Sequence, residues 1–285
     1  MLKRENMSLT INISGKLMDF ECPKVMGIIN VTPDSFYSGS RAGSAVAVAE
    51  RAADMLAKGA DILDIGGYSS RPGAEDISAD EEYRRLALGL EAVRKVAPDA
   101  VVSVDTFRAD VARRCVEDWG VQIINDIGGG TLDPDMWPVV VSLRVAYILM
   151  HMRGTPSTMS SMCDYSDVTA EVISDLAFKT DRLRDMGVAD IIIDPGFGFA
   201  KNLEQNFEML DHFEEFGKMG MPVLAGMSRK SMIWRALDTT PEESLYGTVA
   251  LHTVALMKGA DIIRVHDVGP AVDTVRLLQH MDKKK

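Results

Sequence analysis

Short apolar runs alternate along the chain with longer amphipathic stretches. The runs are rich in β-branched residues, as buried strands are. Eight of them predict strands, at Val25–Asn30, Asp61–Ile65, Val101–Asp105, Gln122–Asn125, Val145–Met150, Ile191–Asp194, Val223–Ala225 and Asp261–Val265. The stretches between them predict helices, among them Ala42–Lys58, Ala79–Val96, Ala109–Trp119, Val168–Met186 and Leu203–Phe216. Strand and helix in repetition imply parallel strands joined by right-handed crossovers.

Eight such units predict an α/β fold of the closed (β/α)8 TIM-barrel type, which needs roughly 250 residues. We therefore expect residues 1–285 to form a single barrel domain. The alternative is a doubly wound open sheet, which usually has a Gly-rich phosphate loop after its first strand. Neither a GxGxxG nor a Walker A sequence occurs here.

A short hairpin is predicted before the first unit. Leu9–Ile13 and Leu17–Phe20 are separated by Ser-Gly-Lys, a turn-forming sequence. We expect this N-terminal β-hairpin, at about residues 8–21, to close the bottom of the barrel.

Composition narrows the class of protein. The chain is 46% hydrophobic and 26% charged, which is typical of soluble globular proteins, and its formal net charge is -11. Nucleic-acid binders usually carry a basic excess, so we expect no nucleic-acid partner. No apolar stretch suits a signal peptide or a membrane span, so we expect a cytoplasmic protein without membrane contact. Cys22, Cys115 and Cys163 lack CxxC spacing and are expected to be free thiols.

Polar side chains follow several predicted strands at their carboxyl ends. Asp105 ends one strand, Asn125 and Asp126 end the next strand along the chain, and Asp194 ends another. Any one carboxylate could simply cap the helix that follows it. Because barrel strands converge at this face, we expect these groups to surround one pocket. Carboxylates accept N–H bonds and an amide both donates and accepts, which suits a flat, nitrogen-rich heterocycle.

Positive charge is expected at the same face. Arg71 follows the second strand, Ser228–Lys230 follow the seventh, and Arg264 and His266 end the eighth. Loops after the last two barrel strands often bind phosphate, and helix N-termini attract anions. A Schiff base at Lys230 is an alternative, but its polar surroundings favour phosphate or heterocycle binding. The histidines show no HExxH or zinc spacing, and no GxSxG nucleophile sequence is present.

A series of motifs, taken together, resembles one enzyme family. In chain order they read VMGIINVTPDSF, DIGGYSSRPGA, VSVDT, IINDI, DPGFGFAK, GMSRKS and IRVHDV. They cover nearly the whole chain and are similar to the motifs of dihydropteroate synthases. These are sulfonamide-sensitive transferases of folate biosynthesis, and their fold is a pterin-binding TIM barrel.

The resemblance implies a role for each matching residue. The polar pterin-binding residues would be Asp105, Asn125, Asp194 and Lys230. Apolar contacts to the ring would come from Ile127, Met150 and Phe199. The diphosphate would contact Ser70, Arg264 and His266, with Arg71 in a nearby mobile loop. The p-aminobenzoate site would be shaped by Thr32, Pro33, Phe36 and Ser228, and Asn30 would hold Mg2+ with the substrate diphosphate.

The implied reaction joins (7,8-dihydropterin-6-yl)methyl diphosphate to p-aminobenzoate through a pterin methyl cation, with Asp105, Asp194 and Lys230 as the catalytic residues. The family also implies a homodimer. The sequence departs from the family pattern in two places: Tyr68 stands where the family commonly has Glu, and Tyr37-Ser38-Gly39-Ser40 stands where it often has Ser-Asp-Gly-Gly. We expect Tyr68 only to shape its loop.

Two alternatives remain open at this point. One is a methyltransferase domain that binds methyltetrahydrofolate on a related barrel, although it is not expected to combine the TPDSF and SRK sequences. The other is a non-catalytic relative that binds a pterin only. A requirement for Mg2+ and release of pyrophosphate would distinguish the synthase from both.

Overall fold

The computed structural model describes residues 9–32, 41–69 and 76–282. The strands in these ranges are β1 (Thr10–Ile13), β2 (Lys16–Asp19), β3 (Lys24–Asn30), β4 (Ile62–Gly66), β5 (Val102–Asp105), β6 (Ile123–Asp126), β7 (Ala146–Met150), β8 (Ile191–Asp194), β9 (Leu224–Ala225) and β10 (Ile262–Val265). Each predicted strand is present, and its ends differ from the prediction by at most one residue.

Within the described residues, β3 to β10 form one eight-stranded parallel sheet. Its strand order is β8-β7-β6-β5-β4-β3-β10-β9, so each strand lies beside its neighbour in the chain and β10 returns to β3. A parallel bridge between Ile193 and Val223 brings β8 to β9, and the Ile193 amide donates to the Pro222 carbonyl at 2.9 Å. The predicted TIM barrel is confirmed.

Helices surround this barrel. They are α1 (Arg41–Ala57), α2 (Ala79–Val96), α3 (Ala109–Trp119), α4 (Met136–Leu143), α5 (Val168–Asp185), α6 (Leu203–Asp211), α7 (Ser231–Ala236), α8 (Leu245–Met257) and α9 (Val268–Asp282). Polar side chains start several of them by accepting backbone N–H groups that would otherwise lack partners. Ser78 accepts from Glu81 at the start of α2, and Asn202 forms a capping box with Gln205 at the start of α6.

The predicted helix Leu203–Phe216 was wrong in its length. The α-helix ends at Asp211, and a 3-10 helix at Phe213–Met219 follows His212. A 3-10 helix has three residues per turn, so side chains three apart lie on one face. That geometry directs both Phe213 and Phe216 into the core, where they are fully buried.

The hairpin of β1 and β2 closes the amino-terminal end of the barrel, as predicted. Ile11, Ile13 and Phe20 are buried against the lowest layer of inward side chains. That layer consists of Met26, Ile62, Ile123, Ala146, Ile148, Ile192, Leu224 and Ile262. The Asn12 amide also donates to the Asp190 carboxylate at 2.8 Å, which ties the hairpin to the start of β8.

Alternation along the strands decides which side chains enter the barrel. Position by position, an inward apolar residue is followed two residues later by an inward polar one: Ile62 by Asp64 on β4, Ile123 by Asn125 on β6 and Ile262 by Arg264 on β10. The interior is therefore apolar at the hairpin end and polar at the carboxyl end. The candidate site lies at this polar end.

Two other expectations are tested by the described residues. Cys22, Cys115 and Cys163 are free thiols, and Cys115 is buried. Among the helices of the described ranges, none is long and apolar enough to cross a membrane.

Truncating the hairpin at its most buried position should weaken the fold. Ile11→Ala leaves a cavity under the apolar layer, so we expect the free energy of unfolding to fall by about 2–5 kcal/mol. Urea denaturation followed by circular dichroism measures this. Thr10→Ala, at an exposed position on the same strand, is the control and should change it by less than about 0.5 kcal/mol. Equal effects of the two substitutions would contradict the hairpin's role as a plug.

Candidate active site

Three inward polar residues stand at the carboxyl ends of neighbouring strands. Asp105 ends β5 and is paired in register with Asn125 on β6, and Asp194 ends β8 beside Met150 of β7. Asn125 and Asp194 are almost completely buried, whereas the Asp105 side chain remains partly exposed. The structure thus brings together three of the four groups that the sequence placed around one pocket; the expectation was wrong for the fourth, Asp126.

Asp126 faces away from this pocket, although it adjoins Asn125 in the chain. Its carboxylate accepts N–H bonds from Gly128 and Gly130 at 2.7 Å and the Tyr147 hydroxyl at 2.6 Å. A residue with a side chain could not replace Gly129, because its Cβ would lie 2.4 Å from the Met150 carbonyl oxygen. Asp126 therefore shapes the glycine-rich loop that carries Ile127.

Arg264 crosses the floor of the pocket from β10. Its Nε donates to Asp64 Oδ2 at 2.6 Å, and its Nη2 lies 2.7 Å from Asp105 Oδ2. Burial raises the pKa of Asp105 to about 7, although the Arg264 guanidinium opposes this shift. The sequence predicted Arg264 as a diphosphate contact; in the structure, two of its nitrogens are bound to carboxylates.

Lys230 approaches from the loop before α7. Its Nζ donates to the Phe197 carbonyl at 2.6 Å and lies 4.7 Å from the centre of the Phe199 ring. Burial lowers the pKa of Lys230 to about 8, while the nearby Asp194 carboxylate acts in the opposite direction. Burial also raises the pKa of Asp194, whose Oδ1 accepts the Gly196 amide at 2.8 Å. The carboxylate and the ammonium form the charged wall of the pocket.

An apolar wall faces these charges. It is formed by Ile127, Met150, Met152, Met159 and Ala200, with Phe107, Leu132 and Phe199 packed against them. Aromatic and thioether side chains suit the face of a flat ring. Ile127, Met150 and Phe199, which the resemblance assigned to ring contacts, all belong to this wall. Phe107 was missed by the sequence reading, although its position two residues after Asp105 could have indicated it.

Ser228 and His266 form a pair at the edge of the site. The His266 backbone amide donates to Ser228 Oγ at 3.1 Å, and that hydroxyl lies 3.0 Å from His266 Nδ1. Burial and the nearby Arg264 charge lower the pKa of His266 to about 4, so its ring is neutral at pH 7. We assign the Ser228 hydroxyl, which accepts the backbone proton, as the donor to Nδ1, the arrangement that uses both its acceptor and its donor capacity. The ring consequently carries its proton on Nε2, which makes Nε2–H a donor.

Lys201 is a functional candidate that the sequence reading missed. Its buried ammonium donates to the Gly196 and Phe199 carbonyls at 3.0 and 2.9 Å and to His151 Nδ1 at 3.0 Å. Burial lowers the pKa of Lys201 to about 7 and that of His151 to about 2. Lys201 thereby holds the loop after β8 that carries Phe199. The only sequence signal was its place in the DPGFGFAK motif.

Asp64 was also missed. It lies inside β4, is completely buried, and accepts from both Asn125 and Arg264. A charged residue within the apolar run Asp61–Ile65 was the available signal. Its position two residues after the inward Ile62 shows why it points into the barrel.

The remaining predicted residues fall into two groups. Asn30 ends β3 and Thr32 follows it, both within the described part of the chain. Pro33, Phe36, Ser70, Arg71 and the Tyr37–Ser40 departure lie outside the described residues.

Tyr68 packs edge-on against Phe107, with ring centres 5.1 Å apart, and the Arg108 guanidinium lies 5.3 Å from the centre of the Tyr68 ring. Tyr68 thus packs against the segment between β5 and α3, and its expected role in shaping its own loop stays a prediction.

Comparisons with known proteins identify the relatives of this chain. A family model described as pterin-binding enzyme matches residues 26–266. The chain is 43% identical to the dihydropteroate synthase of Synechocystis sp. over 247 residues, which are 86% of this chain and 85% of that protein. It is 40% identical to the dihydropteroate synthase of Escherichia coli over 267 residues, 93% and 94% of the two chains. The solved structure of Xanthomonas albilineans dihydropteroate synthase with 4-aminobenzoic acid is 36% identical, with a TM-score of 0.89 over 97% of this chain and 99% of that one.

Removing the Ser228 hydroxyl should change the tautomer of His266. Ser228→Ala removes a hydrogen bond worth about 1 kcal/mol, so we expect the ratio of Nε2–H to Nδ1–H to fall roughly fivefold. Nitrogen-15 NMR of the histidine rings measures this ratio, with the exposed His212 and His280 as internal references. Ser142→Ala, in α4 away from the site, is the matched control. An unchanged ratio in Ser228→Ala would contradict the assigned direction of the hydrogen bond.

Proposed function

The chain belongs to the dihydropteroate synthase family of pterin-binding enzymes, and from this we propose that it condenses (7,8-dihydropterin-6-yl)methyl diphosphate with p-aminobenzoate. The products are 7,8-dihydropteroate and pyrophosphate, as folate biosynthesis requires. The observation that carries the proposal is the grouping of Asp105, Asn125, Asp194 and Lys230 beside an apolar, aromatic wall. Such a pocket suits a flat ring with several N–H and C=O groups at its edge.

The pterin would be recognised chiefly through its polar edge. Asp194 is buried, with one oxygen committed to Gly196, so its other oxygen is suited to accept an N–H bond from the ring. Lys230 would donate to a ring carbonyl or ring nitrogen. Phe199 and Met150 would cover the ring faces. Hydrogen bonds to buried charged groups are among the stronger ones, so this edge would supply much of the affinity.

The diphosphate would lie at the cationic side of the pocket. Arg264 brings positive charge there, and the neutral His266 offers an Nε2–H donor without a further charge. By resemblance, Ser70 would contact the same group, and Arg71 would lie in the loop beside it. Donors already in position for the departing anion would stabilise the charge that builds up on it.

Mg2+ is part of the proposal, and the residues present fit a metal held largely by substrate. Among the described residues, no group of three or more His, Cys, Asp or Glu side chains could hold a metal ion. Asn30 stands at the pocket rim close to Gly66, where an added Cβ would lie 3.5 Å from Asn30 Oδ1. A single amide oxygen suits Mg2+, which keeps several waters and prefers phosphate oxygens. When bound, the ion would neutralise charge on the diphosphate.

The reaction would proceed by dissociation followed by capture. The C–O bond to the diphosphate breaks and both electrons leave with the diphosphate, which yields a pterin methyl cation. Asp105 and Asp194 supply negative charge near that cation. The amine of p-aminobenzoate then donates its lone pair to form the C–N bond and loses a proton. Exclusion of water from the site would protect the cation from hydrolysis.

A homodimer, which the family implies, completes the proposal. Apolar side chains are exposed where α7 ends and along α8, namely Leu237, Tyr246 and Met257. Leu237 lies against Gly247 of α8, so the first two form one surface. Exposed apolar surface of this kind is typical of a protein interface and supports a second copy at this face.

The proposed activity can be tested with the purified protein. Pyrophosphate release should require dihydropterin diphosphate, p-aminobenzoate and Mg2+ together, and a coupled pyrophosphate assay measures it. Omission of p-aminobenzoate and addition of EDTA are the controls. Tight pterin binding without pyrophosphate release would overturn the synthase and favour a relative that only binds the pterin.

Neutralising Asp194 should abolish most turnover without unfolding the chain. Asp194→Asn removes a buried carboxylate acceptor, so we expect kcat/KM to fall roughly a hundredfold or more. Steady-state pyrophosphate release measures the change, and circular dichroism monitors the fold. Asp190→Asn, at the other end of the same strand, is the matched control and should retain activity. Near wild-type turnover in Asp194→Asn would refute its place at the pterin edge.

A further inference from the structure

Asp64 is a buried charge for which the proposed reaction has no direct use. It lies on β4 and is paired in register with Ser103, whereas Gly66 is paired with Asp105 and Asp105 with Asn125. Asp64 is therefore one interior layer deeper than the groups that would touch the pterin. Both of its observed hydrogen bonds are accepted by Oδ2 and come from residues of the layer above or beside it.

The first of these bonds determines which way the Asn125 amide points. Asn125 Nδ2 lies 3.0 Å from Asp64 Oδ2. The same Oδ2 accepts a hydrogen bond from the Arg264 guanidinium, so the Asn125 atom that faces this acceptor is the NH2 group and not the carbonyl oxygen. Asp64 lies below Asn125 in the barrel, so Asn125 Oδ1 is directed away from it, towards the carboxyl end. Without Asp64, the two orientations of the amide would be nearly equivalent in shape.

The second bond holds Arg264 in place. Its Nε donates to Asp64 at 2.6 Å, and its Nη2 bridges from Asp64 to Asp105. The long arginine side chain is thus held at two points and loses its rotamer freedom in the folded protein. One carboxylate oxygen therefore orients both an amide and a guanidinium that line the substrate pocket.

We propose that Asp64 is a positioning residue that makes Asn125 present its oxygen to the pterin and that holds Arg264 at the cationic side. The pocket then offers acceptors at Asp105, Asn125 and Asp194, which selects a ring edge rich in N–H donors. A ring that offered only an acceptor to Asn125 Oδ1 would form no hydrogen bond with that oxygen. This inference rests on the proposed function, because it concerns the same pterin site.

A double-mutant cycle tests whether Asp64 acts through Asn125. Asp64→Leu, close to isosteric, removes the acceptor, and we expect the Kd of dihydropterin diphosphate to rise roughly ten- to a hundredfold. In the Asn125→Ala background the same substitution should cost several-fold less, because the amide it orients is gone. Fluorescence titration with the pterin substrate measures all four Kd values. Additive effects of the two substitutions would overturn the proposal.

Asp64→Asn separates orientation from charge. Its carbonyl oxygen can still accept from both Asn125 and Arg264, so the Kd should rise much less than in Asp64→Leu. Equal losses in the two variants would show that only the charge matters and would overturn the assigned orientation. Asp61→Asn, directly before the same strand, is the matched control, since Asp61 accepts the Val25 amide at the hairpin end; it should leave the Kd unchanged.

Two controls distinguish a loss of folding from a loss of pterin binding. If Asp64→Leu does not give a native circular dichroism spectrum, Asp64→Ser replaces it, because its hydroxyl is too short to reach Asn125. KM for p-aminobenzoate should stay within a few-fold of wild type in every folded variant, whereas a general loss of structure would raise it as well and contradict the proposal. Failure of the wild-type protein to bind the pterin would overturn the proposed function itself; wild-type binding with an additive cycle would overturn only the role of Asp64.

Discussion

The site depends on charge that is buried inside a closed barrel and must therefore be paired. An isolated ion in a protein interior costs several kcal/mol, and the cost is offset only by good pairing and hydrogen bonding. Arg264 supplies this pairing, since one guanidinium bonds to both Asp64 and Asp105. Because the partners come from β4, β5 and β10, the pairing also links three strands of the sheet. The same arrangement places carboxylates and cations side by side in the pocket, Asp105 with Arg264 and Asp194 with Lys230.

Around this centre, buried polar residues mainly serve to hold loops. Asp126 binds the glycine-rich loop after β6, and Lys201 binds the carbonyls of the loop after β8. Glu82 of α2 pairs with the Arg108 guanidinium, which also donates a hydrogen bond to the Ile77 carbonyl. Loops fixed from below by such contacts keep their side chains within the small tolerances that catalysis requires.

Burial is the largest cause of the pKa shifts of Asp105, Lys230 and His266. Burial raises the pKa of Asp105 and lowers that of Lys230, whereas the Arg264 guanidinium opposes the first shift and the Asp194 carboxylate opposes the second. His266 remains neutral because burial and Arg264 lower its pKa to about 4. A charged substrate would therefore bind in a site where burial and neighbouring charges shift the pKa values of the same groups in opposite directions.

Strand positions and the barrel could be predicted from the sequence, because β-branched runs alternate with amphipathic helices throughout the chain. Asp105, Asn125 and Asp194 were recognised since each ends such a run. The local sequence pattern could not show which way a side chain points or which distant residue it contacts. Asn125 faces inward and Asp126 outward, and Asp64 contacts Arg264, which is 200 positions away in the sequence. Sheet register and barrel closure decide these contacts, because only they bring side chains of distant strands into one layer.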